Sequence, residues 1–418
     1  MDKNVTELVE YSRELCGLEA YTFKAYHIFY HVNVGYTFCT EWIPSHLDET
    51  KQTGDNPTGA AIVEIHLQDR SLQRLVFVKN TSFATEGALP SAQKEELLPW
   101  IEQKTNLAYG RQFQLVNETE QTATFDVCID HIPIAPRTDI EVQFNQKGQL
   151  TLFSIDGTLP SEDEVDWEPY ALTSAKTDPI LPGLCREIVA PIEKTESWER
   201  FFIIDQVFIS NYNTDIIPAK VVNEHPVYVQ KNLILQWTGE TNDTFTKKKI
   251  HVKTDFTWDD VFSDAENPNQ IPIAQSDEQL FINEATRVLQ INYPQESGQW
   301  CLTALYKEHN HVIAEIQPTH SESAFTRKIK IFMNDAAHAV NIVDNQFLFQ
   351  LLERFTAADP SQMTKDDAFQ QLVDHITIEP AYVYNRQTKH YEIHGEVICP
   401  YAVHAKTGEL VAIETVMA

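Results

Sequence analysis

Four polar residues stand at alternate positions near the end of this chain: His390, Glu392, His394 and Glu396. On a β-strand, alternation puts all four on one face. A His-x-His pair on a strand can hold zinc, because both imidazoles point the same way. A metal-dependent hydrolase built here would use His390, Glu392 and His394 as ligands and a bound water as nucleophile. The same alternation also marks a half-buried strand, with Tyr391, Ile393 and Val397 inside and the polar residues wet. That plainer reading is preferred. A second pair, His309-Asn310-His311, follows Lys307-Glu308 and sits more naturally in a turn. There is no HExxH and no pair of CxxC motifs, so the strong zinc signatures are missing.

Other chemistry is thinner still. No GxSxG elbow and no SxxK occurs. Cys16-Gly17 and Cys399-Pro400 lack the context of a catalytic thiol, and the six cysteines are far apart. Buried, reduced thiols are the expectation. Acidic pairs such as Asp259-Asp260 and Asp366-Asp367 are unavoidable among 61 acidic residues. Asp366-Asp367 also falls in the first turn of a predicted helix, where it favours the dipole. His27 and His31, with Phe29 between them, share a strand face in the most aromatic part of the chain. Such a surface could bind a peptide or other ligand, although packing on the preceding helix is the preferred reading.

The 418 residues carry a net charge of -29, from 61 acidic and 32 basic side chains. That field repels phosphate backbones and anionic membranes, so neither nucleic acid nor membrane is expected as a partner. Two small basic clusters, 247–253 and 327–330, alternate with apolar residues like the wet face of a strand. Glycine is scarce at 13 residues, and neither GxGxxG nor GxxxxGK[ST] is present. Nucleotide cradles, which need glycine, are therefore disfavoured, and no cofactor is expected. The longest weakly charged stretch, 20–42, carries Lys24, His27, His31, Asn33 and Glu41, too polar a load for a membrane span. The first residues lack the basic and apolar regions of a secretory signal, and a cytoplasmic location is expected.

The elements that must position these residues recur. A helix followed by alternating, strand-like stretches returns roughly every 70 to 100 residues, most clearly after the helical runs at 94–104, 278–289 and 366–373. Further helices are predicted at 5–16, ended by Gly17, and at 184–192 and 346–355. Ser91 is the predicted N-cap of the helix at 94–104. The stretches 219–222 and 249–253 read as strands, 33–35 as a turn, and 46–58 and 266–272 as loop and linker. The expected fold is α+β, with tandem helix-plus-antiparallel-sheet units at 1–86, 87–166, 167–272, 273–345 and 346–418, arranged in two or more lobes.

The final hairpin, Tyr401-Ala402-Val403-His404-Ala405-Lys406-Thr407-Gly408-Glu409-Leu410-Val411, resembles the closing hairpin of PepSY-type domains. There a strand runs into an Asp-Ala-x-Thr-Gly-Glu turn and returns; here His404 holds the Asp position. Gly408 supplies the positive φ that the turn needs. Tyr382-Val383-Tyr384 and the strand after Lys389 are similar to YcdB/YcdC-type repeats. In the fourth unit, Asp335-Ala336-Ala337 has no turn glycine. The resemblance implies PepSY-like units and a non-catalytic binding or regulatory protein, with a peptide or protein ligand, in the manner of domains that restrain a peptidase. A sheet edge could take a partner strand.

Overall fold

The structure is a computed structural model that describes residues 3–31, 34–47, 56–223, 228–250, 256–262, 273–308, 310–319 and 326–417. The expected turn at residue 33, most of the loop 46–58, the linker 266–272, His309 and residues 251–253 of a basic cluster lie outside them. In chain order, α1 (Lys3–Cys16) leads into β1 (Tyr21–His31), β2 (Gly35–Pro44), β3 (Ala61–His66) and β4 (Leu72–Phe77). Next come α2 (Lys94–Thr105), β5 (Phe113–Glu118), β6 (Thr122–Ile129), β7 (Ile132–Ala135), β8 (Asp139–Phe144) and β9 (Leu150–Asp156). The short helices α3 (Ser174–Thr177) and α4 (Leu181–Leu184) precede β10 (Cys185–Ile192), β11 (Ser197–Ile204), β12 (Val207–Ser210) and β13 (Ile216–Pro218). Then follow α5 (Ala219–Asn223), β14 (Tyr228–Leu235), α6 (Trp258–Phe262), α7 (Gln275–Asn292), β15 (Trp300–Glu308), β16 (His311–Pro318), β17 (Ile329–Met333) and β18 (Ala339–Asp344). The chain ends with α8 (Gln346–Leu351), α9 (Lys365–Leu372), β19 (Thr377–Asn385), β20 (His390–Ile398), β21 (Tyr401–His404), β22 (Leu410–Ala412) and α10 (Ile413–Met417).

Among the described residues the strands form three sheets, and with the helices make a mixed architecture compatible with α+β. The chain divides into two compact units. The first takes Met1–Glu168, Thr254–Ala265 and Ala381–Ile393; the second takes Pro169–Lys253, Glu266–Pro380 and His394–Ala418. No helix among the described residues is long and apolar enough to cross a membrane.

In the first unit, two antiparallel meanders meet at their last strands. The order runs β1-β2-β3-β4-β9-β8-β6, with β5 also paired to β6. Leu75 of β4 stands opposite Phe153 of β9. Alternation sends Phe38, Val63, Leu75, Phe153, Val142 and Phe125 to one face, where all are buried. Full burial of such side chains stabilises the fold by about 1.5–3 kcal/mol each. Helix α1 lies on β2 and β3 and buries Val5, Leu8, Val9 and Cys16, spaced for one helical face. Gly17, at φ 65°, ends it. Helix α2 seats Trp100 edge-on against Phe153, with ring centroids 5.0 Å apart. Its boundary residue is Gln93, not the predicted Ser91, whose N–H instead donates to Glu96 Oε2 at 3.1 Å. Beyond the meanders, Tyr382 of β19 pairs in parallel with Ile134 of β7.

The second unit holds the sheets β10-β11-β21-β22 and β14-β15-β16-β17-β18. Helix α7 packs Phe281, Ala285, Val288 and Leu289 into a core with Leu302, Ile316 and Ile331. Helix α9 does the same with Ala368, Phe369 and Leu372 against Phe202, Ile204 and Val403.

Four sequence expectations change here. The stretch 184–192, predicted as a helix, is strand β10, because Ile188 and Ala190 alternate into a core while β-branched Ile188, Val189 and Ile192 favour a pleated surface. Residues 219–222, predicted as a strand, lie in α5. The helix predicted over 346–355 stops at Leu351, and Phe355 is buried beyond it. Residues 249 and 250 have no regular structure, and nearby Lys248 donates its N–H to the Val340 carbonyl at 2.9 Å.

Candidate binding cleft

The residues of the His-rich strand have separate local partners. His390, with 42% of its side chain exposed, places Nδ1 2.7 Å from Asp166 Oδ1. Glu392 accepts from Asn385 Nδ2 at 2.7 Å and Thr388 Oγ1 at 3.2 Å, bracing the turn before β20. In the second unit, His394 and Glu396 are 6% and 3% exposed, so no wet face continues to this end of the strand. Gln206 Nε2 donates to Glu396 at 2.6 Å. The opposite face of the strand is closed too: a Cβ on Gly395 would meet Leu172 Cδ1 at 2.7 Å and Tyr170 Oη at 2.9 Å. Among the described residues, no group of three or more His, Cys, Asp and Glu side chains could hold a metal ion. His311 is buried, its ring edge-on to Phe332 at 6.3 Å.

His27, Phe29 and His31 do share a face of β1, the His27 ring stacked on Phe29 at 5.8 Å. His31 Nε2 lies 2.7 Å from Glu64 Oε1, and Thr37 Oγ1 donates to the same oxygen at 2.6 Å. Burial alone would raise the Glu64 carboxyl, but hydrogen bonds from His31 and Thr37 and the Arg74 charge outweigh it and hold it low. A hollow of about 180 Å³ beside them is lined by His31, Glu64, Arg74 and Asp156.

A larger concavity, about 800 Å³, lies between the last turns of α1 and α2. Tyr11 and Leu15 come from α1, Gln103 to Thr105 from α2, Asp69 to Ser71 from the turn before β4, and Leu159 to Glu162 from the segment after β9. Leu15 and Leu159 are partly exposed in it, over the buried Leu72, Leu107 and Pro160. Asn106 ends α2 at the cleft, taking φ 58° while its N–H satisfies the Glu102 carbonyl, an αL helix ending.

Most charges of the cleft are already matched. Arg70 pairs with Glu7 at 2.7 Å, and Arg111 with Glu162 at 2.9 Å. Burial works to raise the Asp69 carboxyl, yet hydrogen bonds from His66 and the Ser71 N–H bring it down to about 2. Tyr11 Oη donates to the Arg70 carbonyl at 3.1 Å, and burial pushes its phenol up. Lys104 differs. Its ammonium has no carboxylate or carbonyl partner among the described residues; it hangs 5.7 Å from the Trp100 ring centroid, and burial draws its pKa down. The buried Trp100 indole N–H also lacks an acceptor.

Nothing in the sequence singled out Lys104, because a lysine in the last turn of a helix is an ordinary dipole partner. The six thiols are all buried. Burial pushes Cys16 and Cys39 up to about 12, and Cys128 and Cys185 to about 11.

The basic residues 327–330 are committed within the second unit. Arg327 grips Asp344 at 2.7 Å and lies over the Trp300 ring at 4.9 Å, while Lys328 pairs with Glu315 at 3.3 Å.

Neither protein-family models nor curated proteins give a match to this sequence. Among solved structures, the chain is similar to the C-terminal domain of Bacillus megaterium YpeB, at 7% identity over 82% of this chain and 97% of that domain. The TM-score is 0.27, too loose a superposition to carry an argument about fold or function.

Proposed function

We propose that this chain is a non-catalytic binding or regulatory protein, and that a peptide or an extended segment of a partner protein occupies the cleft between α1 and α2. The observation that carries this reading is the cleft itself, about 800 Å³, with a mostly polar lining in which Leu15 and Leu159 are partly exposed, a concavity on which polar groups converge. The thiols supply no nucleophile, since each is buried and shifted toward the neutral form. The resemblance of residues 401–411 to PepSY-type hairpins favours tandem PepSY-like units and a restrained peptidase as the partner. The order of helix then meander in α1 with β1–β4, α2 with β5, β6, β8 and β9, and α7 with β15–β18 supports that repeat. The alternative, a hydrolase using metal on His390, Glu392 and His394, has less support, because Asp166 and Asn385 already engage the first two.

The test is an array of short peptides, scored against the full chain and against Gln103→Trp, which fills the cleft from an exposed position. A set of peptides that bind the native chain and lose binding to Gln103→Trp is the expected result. Binding that ignores the tryptophan, with the fold intact by circular dichroism, rejects the cleft.

A further inference from the structure

We propose that the cleft recognises a C-terminal carboxylate with an apolar residue beside it, the carboxylate seated on Lys104. This rests on the preceding reading that the cleft takes a peptide. Three observations lead to it. Lys104 is a half-buried ammonium that lies over the Trp100 ring but has no carboxylate or carbonyl partner among the described residues, in a chain with 61 acidic side chains. With acid so abundant, a lysine left unpaired in a concavity offers a charge-assisted hydrogen bond to something from outside. The second observation is the count of uncommitted charge. Arg70 and Arg111 are neutralised by Glu7 and Glu162, so one positive charge remains, suited to a monoanion rather than a phosphate dianion.

The third observation is the apolar surface. Leu15 and Leu159 are only partly covered, and they line the same cleft as Lys104. A carboxylate one bond from an apolar side chain meets both features, and the last residue of a peptide has that arrangement. Burial without a counter-ion also weakens the hold of Lys104 on its proton; a bound carboxylate would reverse that.

The experiment is titration calorimetry of the full chain with three probes: N-acetyl-alanyl-leucine, its C-terminal amide, and N-acetyl-glutamyl-leucinamide. The free acid is expected to bind at least about tenfold more tightly than either amidated probe, the range of one charge-assisted hydrogen bond. Lys104→Met should erase the preference, and Lys104→Arg should keep it; melting curves of both variants report whether the fold survives. Equal binding of acid and amide, an intact preference in Lys104→Met, or no binding of the acid at concentrations on the order of millimolar overturns the proposal. Equal binding of the glutamyl probe overturns the assignment to a chain terminus. Gln103→Trp separates the two readings. If it abolishes binding while Lys104→Met does not, only the lysine assignment fails; if it has no effect, the cleft fails.

Discussion

His404 Nδ1 accepts the main-chain N–H of Thr407 at 3.1 Å. The Lys406 N–H reaches the same atom at 3.3 Å, and Nε2 lies 3.3 Å from Glu199 Oε2. The imidazole therefore does what an Asp or Asn does in an Asx turn. Asn145, Asn334 and Asn385 play that part in three other turns, each accepting two main-chain N–H groups. His404→Asn should accordingly cost less than about 0.5 kcal/mol, whereas His404→Ala should cost about 1 kcal/mol through the lost cap. Urea unfolding measures both; equal losses would show that the ring nitrogen does not brace the turn.

Two glycines with similar backbones should respond differently to alanine. Gly17 and Gly148 have φ of 65° and 73°. A Cβ at Gly148 meets nothing within 4 Å, while one at Gly17 collides with Ala88 Cβ. Gly148→Ala is expected to cost about 1 kcal/mol for the backbone alone. Gly17→Ala should cost about 1–3 kcal/mol more from overpacking. Thermal melting of the pair tests the difference, and matched melting points would contradict it.

The depressed carboxyl of Glu64 makes the first unit acid-sensitive. A group held below its unfolded pKa contributes stability above that unfolded value and loses it as pH falls through the folded one. Glu64→Gln should therefore be less stable than the native chain at neutral pH, by about 1–2 kcal/mol. The gap should begin to narrow below about pH 4, where the unfolded glutamate protonates, and close as the pH falls through the lower folded value. Melting points of both proteins across an acid series give the answer. A constant gap would mean that the charge on Glu64 is not what Thr37 and His31 stabilise.

Burial of every thiol predicts inertness. At about pH 8 an ordinary exposed cysteine reacts readily with Ellman's reagent, yet the native chain should release less than one equivalent within minutes. After denaturation all six cysteines should react. One fast thiol in the native protein would point to a reactive cysteine and reopen the catalytic reading.

The helices at 94–104, 278–289 and 366–373 were legible because their apolar residues recur at helical spacing; they appear as Lys94–Thr105, Gln275–Asn292 and Lys365–Leu372. The hairpin turns were legible where Lys147-Gly148 and Gly408 announce them. Ala337 shows the limit: it takes φ 54° with no glycine to signal it, because Asn334 caps the turn. The stretch 184–192 was misread since a short apolar run satisfies both periods, and pairing with β11 decided for the strand. The cleft was not legible at all.

By itself the sequence determined where the chain alternates, where it coils into helices and where it turns, because these depend on near neighbours and on side-chain shape. Tertiary structure decided which strands became partners and which charges found one another. Among the described residues Lys104 has no carboxylate, because Arg70, Glu162 and Leu15, distant along the chain, line the same cleft already paired or uncharged. A side chain's solitude depends on every group that could have reached it, and no local pattern carries that information.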